Sequence, residues 1–552
     1  MNMPLPPTTW TTGTTEVIKT GTWRASLPHY IKPPSPCHQA CPVNGDIAEW
    51  IGLARAHDFH GAWQVLTRHN PFPAVAGRIC HHPCEAACNR GAYDDSLAIC
   101  KLERAVGDMA LEQGWSFEAS ATQRAQHVAI VGGGPSGLSA AFQLRRRGWR
   151  VTIYESQAQL GGLMRYGIPS YRLARAVLDG EIARIVALGV EVRCGQPLAS
   201  AADFERLRAT HDAVYIAIGA GRPKRLPQLP EAAPWLMDGA DYLARASAGT
   251  APALGRRVLV IGGGSAALDV ARTARRAGHE VTILSLEQRQ QMPAQREEVA
   301  EALEEGIALA DGAMLTAAVP QARNGLALEC VLVRLEFGAA RGQFKIVPVA
   351  GSEFTLAADA IVSSIGQDPE LAALSSVLPL EGNLLAVQGR RQSTSAPGVW
   401  TGGDVASMAR FVTEAIGMGK RAALDIDRRL RGAEDSVDEG EQNVVGLPNI
   451  ATFYHPKQAR ASEIRLSAAQ RLASGVEVQL GLELEQALAE AGRCFSCGTC
   501  TECDNCFYYC PDLAIQRVEQ GGYRVLGDYC KGCGICVKEC PTGSMTMREE
   551  LR

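Results

Sequence analysis

No dense run of Lys and Arg occurs anywhere in the 552 residues, and the net charge is only −4. Both argue against a nucleic-acid binder or a protein that coats anionic membranes. No apolar run is long enough to span a bilayer, and the opening MNMPLPPTTWTTGTTEV lacks a charged-then-apolar leader. A cytoplasmic location is therefore expected. Residues 1–36 contain no cysteine, although the chain has 18. In a reducing compartment, cysteines in that number read as metal ligands rather than disulfides. The length suffices for several domains, and the 56 glycines suit dinucleotide-binding α/β folds.

Ten of the 18 cysteines lie from residue 494 onward. Cys500, Cys503, Cys506 and Cys510 are followed by Pro511, and Cys530, Cys533, Cys536 and Cys540 by Pro541. This is the spacing of bacterial two-cluster ferredoxins, in which the fourth cysteine of each run ligates the other cluster. One expected set is Cys500, Cys503, Cys506 and Cys540; the other is Cys530, Cys533, Cys536 and Cys510. Pro511 sets the register, so Cys494 and Cys497 are left over. Near the N-terminus stand Cys37, Cys41, Cys80, Cys84, Cys88 and Cys100. Zinc is the simple alternative, but six ligands do not divide into tetrahedral sites. Cys194 and Cys330 have no cysteine neighbours and are expected as core thiols. His81 and His82 are expected to tune or solvate a cluster rather than bind iron. The charged stretch Glu297–Glu305 is expected as a solvated helix face.

Two strand–turn–helix units point to nucleotides. In HVAIVGGGPSGLSAAFQLRRRGWRVTIYES, Gly132, Gly134 and Gly137 follow an apolar strand and open a helix, and Glu155 ends the next strand. Glycines there let the backbone approach a pyrophosphate at a helix N-terminus, and the acid can accept ribose hydroxyls. In RRVLVIGGGSAALDVARTARRAGHEVTILSLEQRQQMPA, Gly262, Gly264, Ala267 and Glu287 hold the same places. The economical pair is FAD and a pyridine nucleotide. A carboxylate at Glu287 repels a 2′-phosphate, which favours NAD(H) over NADP(H), although Arg289 stands close enough in sequence to reach a phosphate.

Further motifs carry a resemblance. GVWTGGDVA, with Gly402, Gly403 and Asp404, resembles the second FAD fingerprint of two-dinucleotide-domain flavoproteins, whose Asp contacts the ribityl chain. IAIGAG and SSIGQDP resemble the crossovers in and out of an inserted NAD(P) domain. GGLMRYGIPSYRL, NPFPAVAGRICHHPCEAAC and QQMPAQREEVAEALEEGI complete the pattern. The chain resembles the small (beta) subunit of glutamate synthase and its relatives. Those include the N-terminal half of dihydropyrimidine dehydrogenase, the NADP-binding subunit of ferredoxin-NADP transhydrogenases and the flavoprotein associated with dissimilatory sulfite reductase.

The resemblance implies that Gly162 and Arg165 lie at the flavin, with Tyr166 beside them; a structural role is the equal alternative for Arg165 and Tyr166. It also implies two N-terminal [4Fe-4S] clusters. One set becomes Cys41, Cys80, Cys84 and Glu103. The other retains Cys37 and Cys88 but lacks the family's upstream Cys-x-x-Cys. Ala491-Gly-Arg-Cys494-Phe-Ser-Cys497 has the look of that missing pair, so Cys494 and Cys497 are expected to reach back and complete the set. The rival places Cys100 in an incomplete or three-iron cluster. Where the relatives often show Tyr-Arg-Arg, this chain has Ser285, Leu286 and Glu287.

The expected fold is multidomain α/β. It comprises an extended arm (1–35), a helical Fe–S domain (36–120), a discontinuous Rossmann-like FAD domain (121–221 and 367–432), an inserted NAD(P) domain (222–366), a linker (433–490) and an α+β ferredoxin domain (491–552). The expected cofactors are FAD, NAD(H) and four [4Fe-4S] clusters, with no catalytic side chain assigned. The expected function is an NADH:acceptor oxidoreductase subunit, working to or from ferredoxin or a larger partner. Candidate partners are a 2-oxoacid:ferredoxin oxidoreductase, an aromatic-acid (benzoyl-CoA type) reductase system or a sulfite reductase, in an oligomer or hetero-complex. The alternatives are an NADPH-dependent glutamate synthase small subunit, a flavin-based bifurcating subunit, and a non-catalytic redox sensor or scaffold.

Overall fold

The computed structural model describes residues 19–321, 325–337, 344–433, 443–519 and 521–550. The first 18 residues of the expected arm, and 434–442 of the expected linker, lie outside the described residues. Residues 36–112 form a helical unit: α1 (Pro36–Ala40), α2 (Ile47–Arg55), α3 (Phe59–Thr67), α4 (Pro73–Ile79), α5 (Pro83–Ala86) and α6 (Ile99–Glu112). Ser35 caps α1 by accepting from the His38 N–H, and Asp58 caps α3 through Gly61. Trp50, Ile51, Trp63, Leu66 and Leu97 fill its core. A helix from far downstream, α11 (Leu484–Gly492), buries Ala487 and Ala491 in the same core.

Two parallel sheets follow. The first joins β2 (His127–Val131), β3 (Arg150–Tyr154), β4 (Glu191–Arg193), β5 (Ala213–Ile216) and β11 (Val399–Thr401) in the order β11-β5-β2-β3-β4. The second joins β6 (Leu236–Asp238), β7 (Arg257–Ile261), β8 (Glu280–Leu284), β9 (Ala308–Ala310) and β10 (Ala360–Ser363) in the order β9-β8-β7-β10-β6. The central strands HVAIV and RVLVI are nearly continuous apolar runs, as strands covered on both faces must be. Strand β11 returns to the first sheet after the second is complete, so the first sheet is discontinuous in sequence. An antiparallel three-stranded sheet (Ala313–Pro320, Leu326–Phe337, Phe344–Ala358) packs beside the second. Cys330 is buried there, as expected of a core thiol. Cys194, expected likewise, is exposed just past the edge strand β4, which offers it no cover.

The helices that matter for the sites are α7 (Pro135–Arg145), α8 (Ser265–Arg276), α9 (Arg296–Glu304) and α10 (Val412–Leu430). The expectation of a solvated face on α9 is corrected. Glu298, Glu301 and Glu305 are buried, and pair with Arg172, Arg272 and Arg276. Residues 445–483, expected as a linker, run against the other units. Glu477 holds Arg78 and Arg104, Gln479 accepts from Lys101, and the Val478 N–H reaches the Tyr171 carbonyl.

The tail holds short helices Asn505–Tyr508 and Ile535–Lys538, and a hairpin of β12 (Ile515–Arg517) and β13 (Tyr523–Val525). Its last strand, β14 (Met545–Glu549), pairs antiparallel with β1 (Ser26–Tyr30) from the arm, with Tyr30 opposite Met545. Gly532 lies so close to this arm that a Cβ there would fall 2.4 Å from the Ser26 carbonyl oxygen. Among the described residues, no helix is long and apolar enough to cross a membrane.

Candidate functional site

In the first glycine loop, Gly132 (φ +108°) approaches Ala217, where a Cβ would meet the carbonyl oxygen at 2.2 Å. A Cβ on Gly137 would fall 1.9 Å from the Gly132 oxygen, so α7 seats directly on the loop. Gly134 caps α7 in extended backbone and Pro135 opens the helix, a position that needs no N–H. The outer side of Gly134 is open; a Cβ there would meet only the Gly162 Cα, at 3.9 Å. That leaves a cradle of backbone N–H groups at a helix N-terminus, suited to a pyrophosphate. Glu155 is buried and accepts from the N–H groups of Gly133 and Gln157, each at 2.7 Å. Gly403 (φ +79°) presses on Ser136, in the first turn of α7, and Gly402 presses on Tyr215. Asp404 follows, half-buried. Burial pushes its carboxyl up, against the opposing pull of Arg410.

Arg165 makes structural contacts. Its Nε donates to the Leu160 carbonyl at 2.6 Å and its guanidinium pairs with Asp179, so it shapes the Gly161–Gly162 turn. Tyr166 reaches the Gln159 carbonyl from the surface.

The second loop repeats the design. Gly262 (φ +139°) meets the Ser364 carbonyl, Gly264 faces open space, and fully buried Ala267 seats α8. Glu287 accepts from Ser285 Oγ at 2.7 Å and lies against Gly263, where a Cβ would sit 2.5 Å from Glu287 Oε2. Arg289 is exposed, and its backbone N–H donates to the Asp311 carboxylate at 2.8 Å.

The cysteines gather in four sets. Cys41 caps α1, Cys80 caps α4 and Cys84 lies in α5. Cys84 is buried and the other two are partly so; desolvation pushes the Cys41 thiol up to about 11, Cys80 to about 12 and Cys84 well above its usual value, with Glu103 a smaller contributor to each. Burial in turn lifts the Glu103 carboxyl to about 7, and Asn70 donates to it at 2.8 Å. Cys37, Cys88, Cys494 and Cys497 line one cavity with Ile47, Ile51, Leu97 and Phe495. Helix α11 delivers the last two into it, stapled by Arg493 to Glu490 and to the Asp95 carbonyl. In the tail, Cys510, Cys530, Cys533 and Cys536 line a second cavity. Cys500, Cys503 and Cys540 crowd Cys506, whose thiol rises to about 11, chiefly through burial.

Among the described residues, no three His, Cys, Asp or Glu side chains converge as one metal ion needs. In two of the four sets the sulfurs instead line a hollow. Iron supplies the positive charge that a thiolate ligand needs. Donor type and arrangement both fit iron–sulfur clusters.

Cys100 stays outside these hollows. It is fully enclosed, its thiol pushed well up by burial, and its Sγ donates to the Gly77 carbonyl at 3.3 Å. His82 bonds the Cys80 carbonyl through Nδ1 at 2.8 Å, and His81 stacks on Phe411 at 3.8 Å. Several polar neighbours of the sulfurs had no sequence signal: Tyr30 at Cys506 (3.0 Å), Ser35 at Cys37 (3.1 Å), Asn89 at Cys497 (3.4 Å) and Thr413 at Cys80 (3.6 Å). Most belong to other elements of the fold, and only the assembled packing reveals them.

The sets follow one another through shared elements. Helix α10 touches Ser136 of the first nucleotide loop through Gly419, Pro42 through Gly417 and Cys80 through Thr413. Cys37 and Cys41 share one turn, as do Cys84 and Cys88. Past Cys497, the Gly498 N–H donates to the Thr542 carbonyl at 2.7 Å, two residues beyond Cys540.

Residues 126–419 match the model for the pyridine nucleotide-disulphide oxidoreductases. The chain belongs to that family. Residues 32–115 match dihydropyrimidine dehydrogenase domain II, 4Fe-4S cluster, and residues 523–546 match the 4Fe-4S binding domain. Among curated relatives, the NADP(+)-dependent formate dehydrogenase subunit beta of Moorella thermoacetica is 34% identical over 83% of this chain and 70% of its own length. The NAD-dependent dihydropyrimidine dehydrogenase subunit PreT of Escherichia coli is 33% identical over 72% and 92%. The glutamate synthase [NADPH] small chain of Mycobacterium tuberculosis is 33% identical over 72% and 86%. The resemblance to the glutamate synthase small-subunit group therefore holds. The protein is an NAD(P)H-dependent iron–sulfur flavoprotein oxidoreductase.

Proposed function

We propose that the protein exchanges electrons between NAD(H) and a protein partner through one FAD and four [4Fe-4S] clusters. When bound, the flavin splits a hydride pair into single electrons and the clusters carry them one at a time. The chain's own residues supply the rest. The loop at Gly132, Gly134 and Gly137, with Glu155, Gly162 and Asp404, holds the FAD. The loop at Gly262, Gly264 and Ala267, with Glu287, holds the nicotinamide nucleotide. Cys41, Cys80, Cys84 and Glu103 hold the first cluster, and Cys37, Cys88, Cys494 and Cys497 the second. The crossed tail sets hold the other two.

The observation that carries this reading is the cavity shared by Cys37, Cys88, Cys494 and Cys497, which joins the flavin end of the chain to its ferredoxin-like end. The test is the double variant Cys494→Ser/Cys497→Ser. It is expected to lose about four irons per chain, one cluster's content. Unchanged iron would sink the bridging set.

NADH is the proposed nucleotide, because Glu287 repels a 2′-phosphate and Arg289, two residues on, is exposed. The relatives' names divide between NAD and NADP. They also name those proteins as subunits or small chains, which supports a hetero-complex. The tail supports a ferredoxin or an oxidoreductase as partner, such as a 2-oxoacid:ferredoxin or aromatic-acid reductase system.

A further inference from the structure

We propose that Tyr30 sets the reduction potential of one tail cluster, that of Cys500, Cys503, Cys506 and Cys540, and leaves its sister alone. This rests on the four-cluster reading above. The phenol oxygen lies 3.0 Å from Cys506 Sγ. Either atom can donate while the sulfur is a thiol. Bound to iron, Cys506 is a thiolate without a proton, so the phenol is the donor. A hydrogen bond to a cluster sulfur favours the state with the extra electron and raises the potential.

The geometry around the phenol is built. Strand β1 holds Tyr30 in register opposite Met545, and the Ile31 N–H donates to the Ser544 carbonyl at 3.0 Å. The ring stacks on Tyr523, with centroids 6.0 Å apart and planes 16° apart. Tyr523 is itself fixed, its hydroxyl donating to Asp504 Oδ1 at 2.7 Å.

The two tail sets are unequal. Cys540, in the same set as Cys506, has Ser544 Oγ at 3.4 Å and Thr542 Oγ1 at 3.6 Å. In the sister set, Cys510, Cys530 and Cys536 meet backbone N–H groups of Ala514, Gly532 and Val537. Cys506 and Cys540 thus meet three side-chain hydroxyls, where those three cysteines of the sister set meet backbone N–H groups. The hydroxyl-rich cluster is the one beside Cys497, through Gly498 and Thr542. An electron arriving from the flavin end therefore rests there, and the sister is the more reducing exit. Tyr30 belongs to the arm, so the arm's docking carries part of this difference.

The experiment is an EPR-monitored redox titration of the full-length iron-loaded protein, with Tyr30→Phe, which keeps the stacked ring. One tail wave is expected to move negative by a tenfold change in electron partition, about 59 mV for one electron. The other wave stays put and the iron content is unchanged. Ser544→Ala, which removes a donor at Cys540, is expected to move the same wave. The proposal is overturned if neither wave moves, if both move together, or if the two variants move different waves. Loss of iron in Tyr30→Phe overturns it too, since the residue then holds the cluster instead of tuning it. A wild-type protein without two tail waves would refute the four-cluster reading instead.

Discussion

Among single residues, Glu287 and Cys100 make the sharpest claims. Glu287 sits against Gly263 as Glu155 sits against Gly133, each at the end of the second strand of its unit. Replacing it by Arg puts a cation where a 2′-phosphate would lie. The ratio of kcat/KM for NADH over NADPH is expected to fall at least tenfold, about 1.4 kcal/mol of discrimination. Steady-state kinetics with both nucleotides checks this, and an unchanged ratio means the carboxylate does not face the adenosine ribose. Cys100→Ala should keep all of its iron while losing about 1 kcal/mol of stability, the worth of a buried S–H···O bond. Iron analysis beside a thermal melt separates the two; lost iron would return Cys100 to the ligands. Glycine spacing and cysteine spacing made both loops and the tail legible, because those residues act within a few positions of each other. The role of Cys100 was not legible, since ligand and buried thiol look alike until the Gly77 carbonyl is seen beside the sulfur.

Among elements, α8 and α9 were read only in part. The charged stretch reads as a helix, but its acids read as solvated because their partners come from other segments. Three guanidiniums, Arg172, Arg272 and Arg276, face four buried carboxylates, Asp269, Glu298, Glu301 and Glu305. The surplus negative charge falls on Asp269. Burial pushes its carboxyl to about 6, Glu298 adds to the rise, and Arg172 opposes it. A folded-state value above the unfolded one means stability is lost as pH climbs through it. The melting advantage of wild type over Asp269→Asn should therefore shrink from pH 5 to pH 7, by roughly 1 kcal/mol. A gap that is constant or widens across that range would show Asp269 ionised throughout. Tyr171 and Arg172 follow directly on the GGLMRYGIPS segment, so this network ties the flavin-side turn to the helix that opens at the second nucleotide loop.

Across the whole molecule, two segments have changed places. Helix α11, with Cys494 and Cys497, leaves the tail to complete the N-terminal helical unit, and β1 leaves the N-terminus to complete the tail's sheet. The missing upstream cysteine pair made the first exchange legible in the sequence. The second was not, because β1 meets β14 more than five hundred residues later and its five residues carry no mark of their partner. Each exchange alone would be a surface contact; together they make the tail inseparable from the body. Lys19 and Asp528, Arg24 and Glu550, and the Gly498 N–H to Thr542 bond add to the same seam. Cutting the chain at a protease site inserted within 434–442 is therefore expected to leave both fragments bound and co-eluting on gel filtration, with iron retained. The same cut in the Cys494→Ser/Cys497→Ser background removes the proposed shared ligation but keeps the β1–β14 pairing, so release should need mild denaturant at a concentration the wild-type protein withstands. Free separation of the wild-type fragments in buffer would mean that iron ligation and strand exchange do not hold the tail, and that the electron path depends on the covalent connection alone.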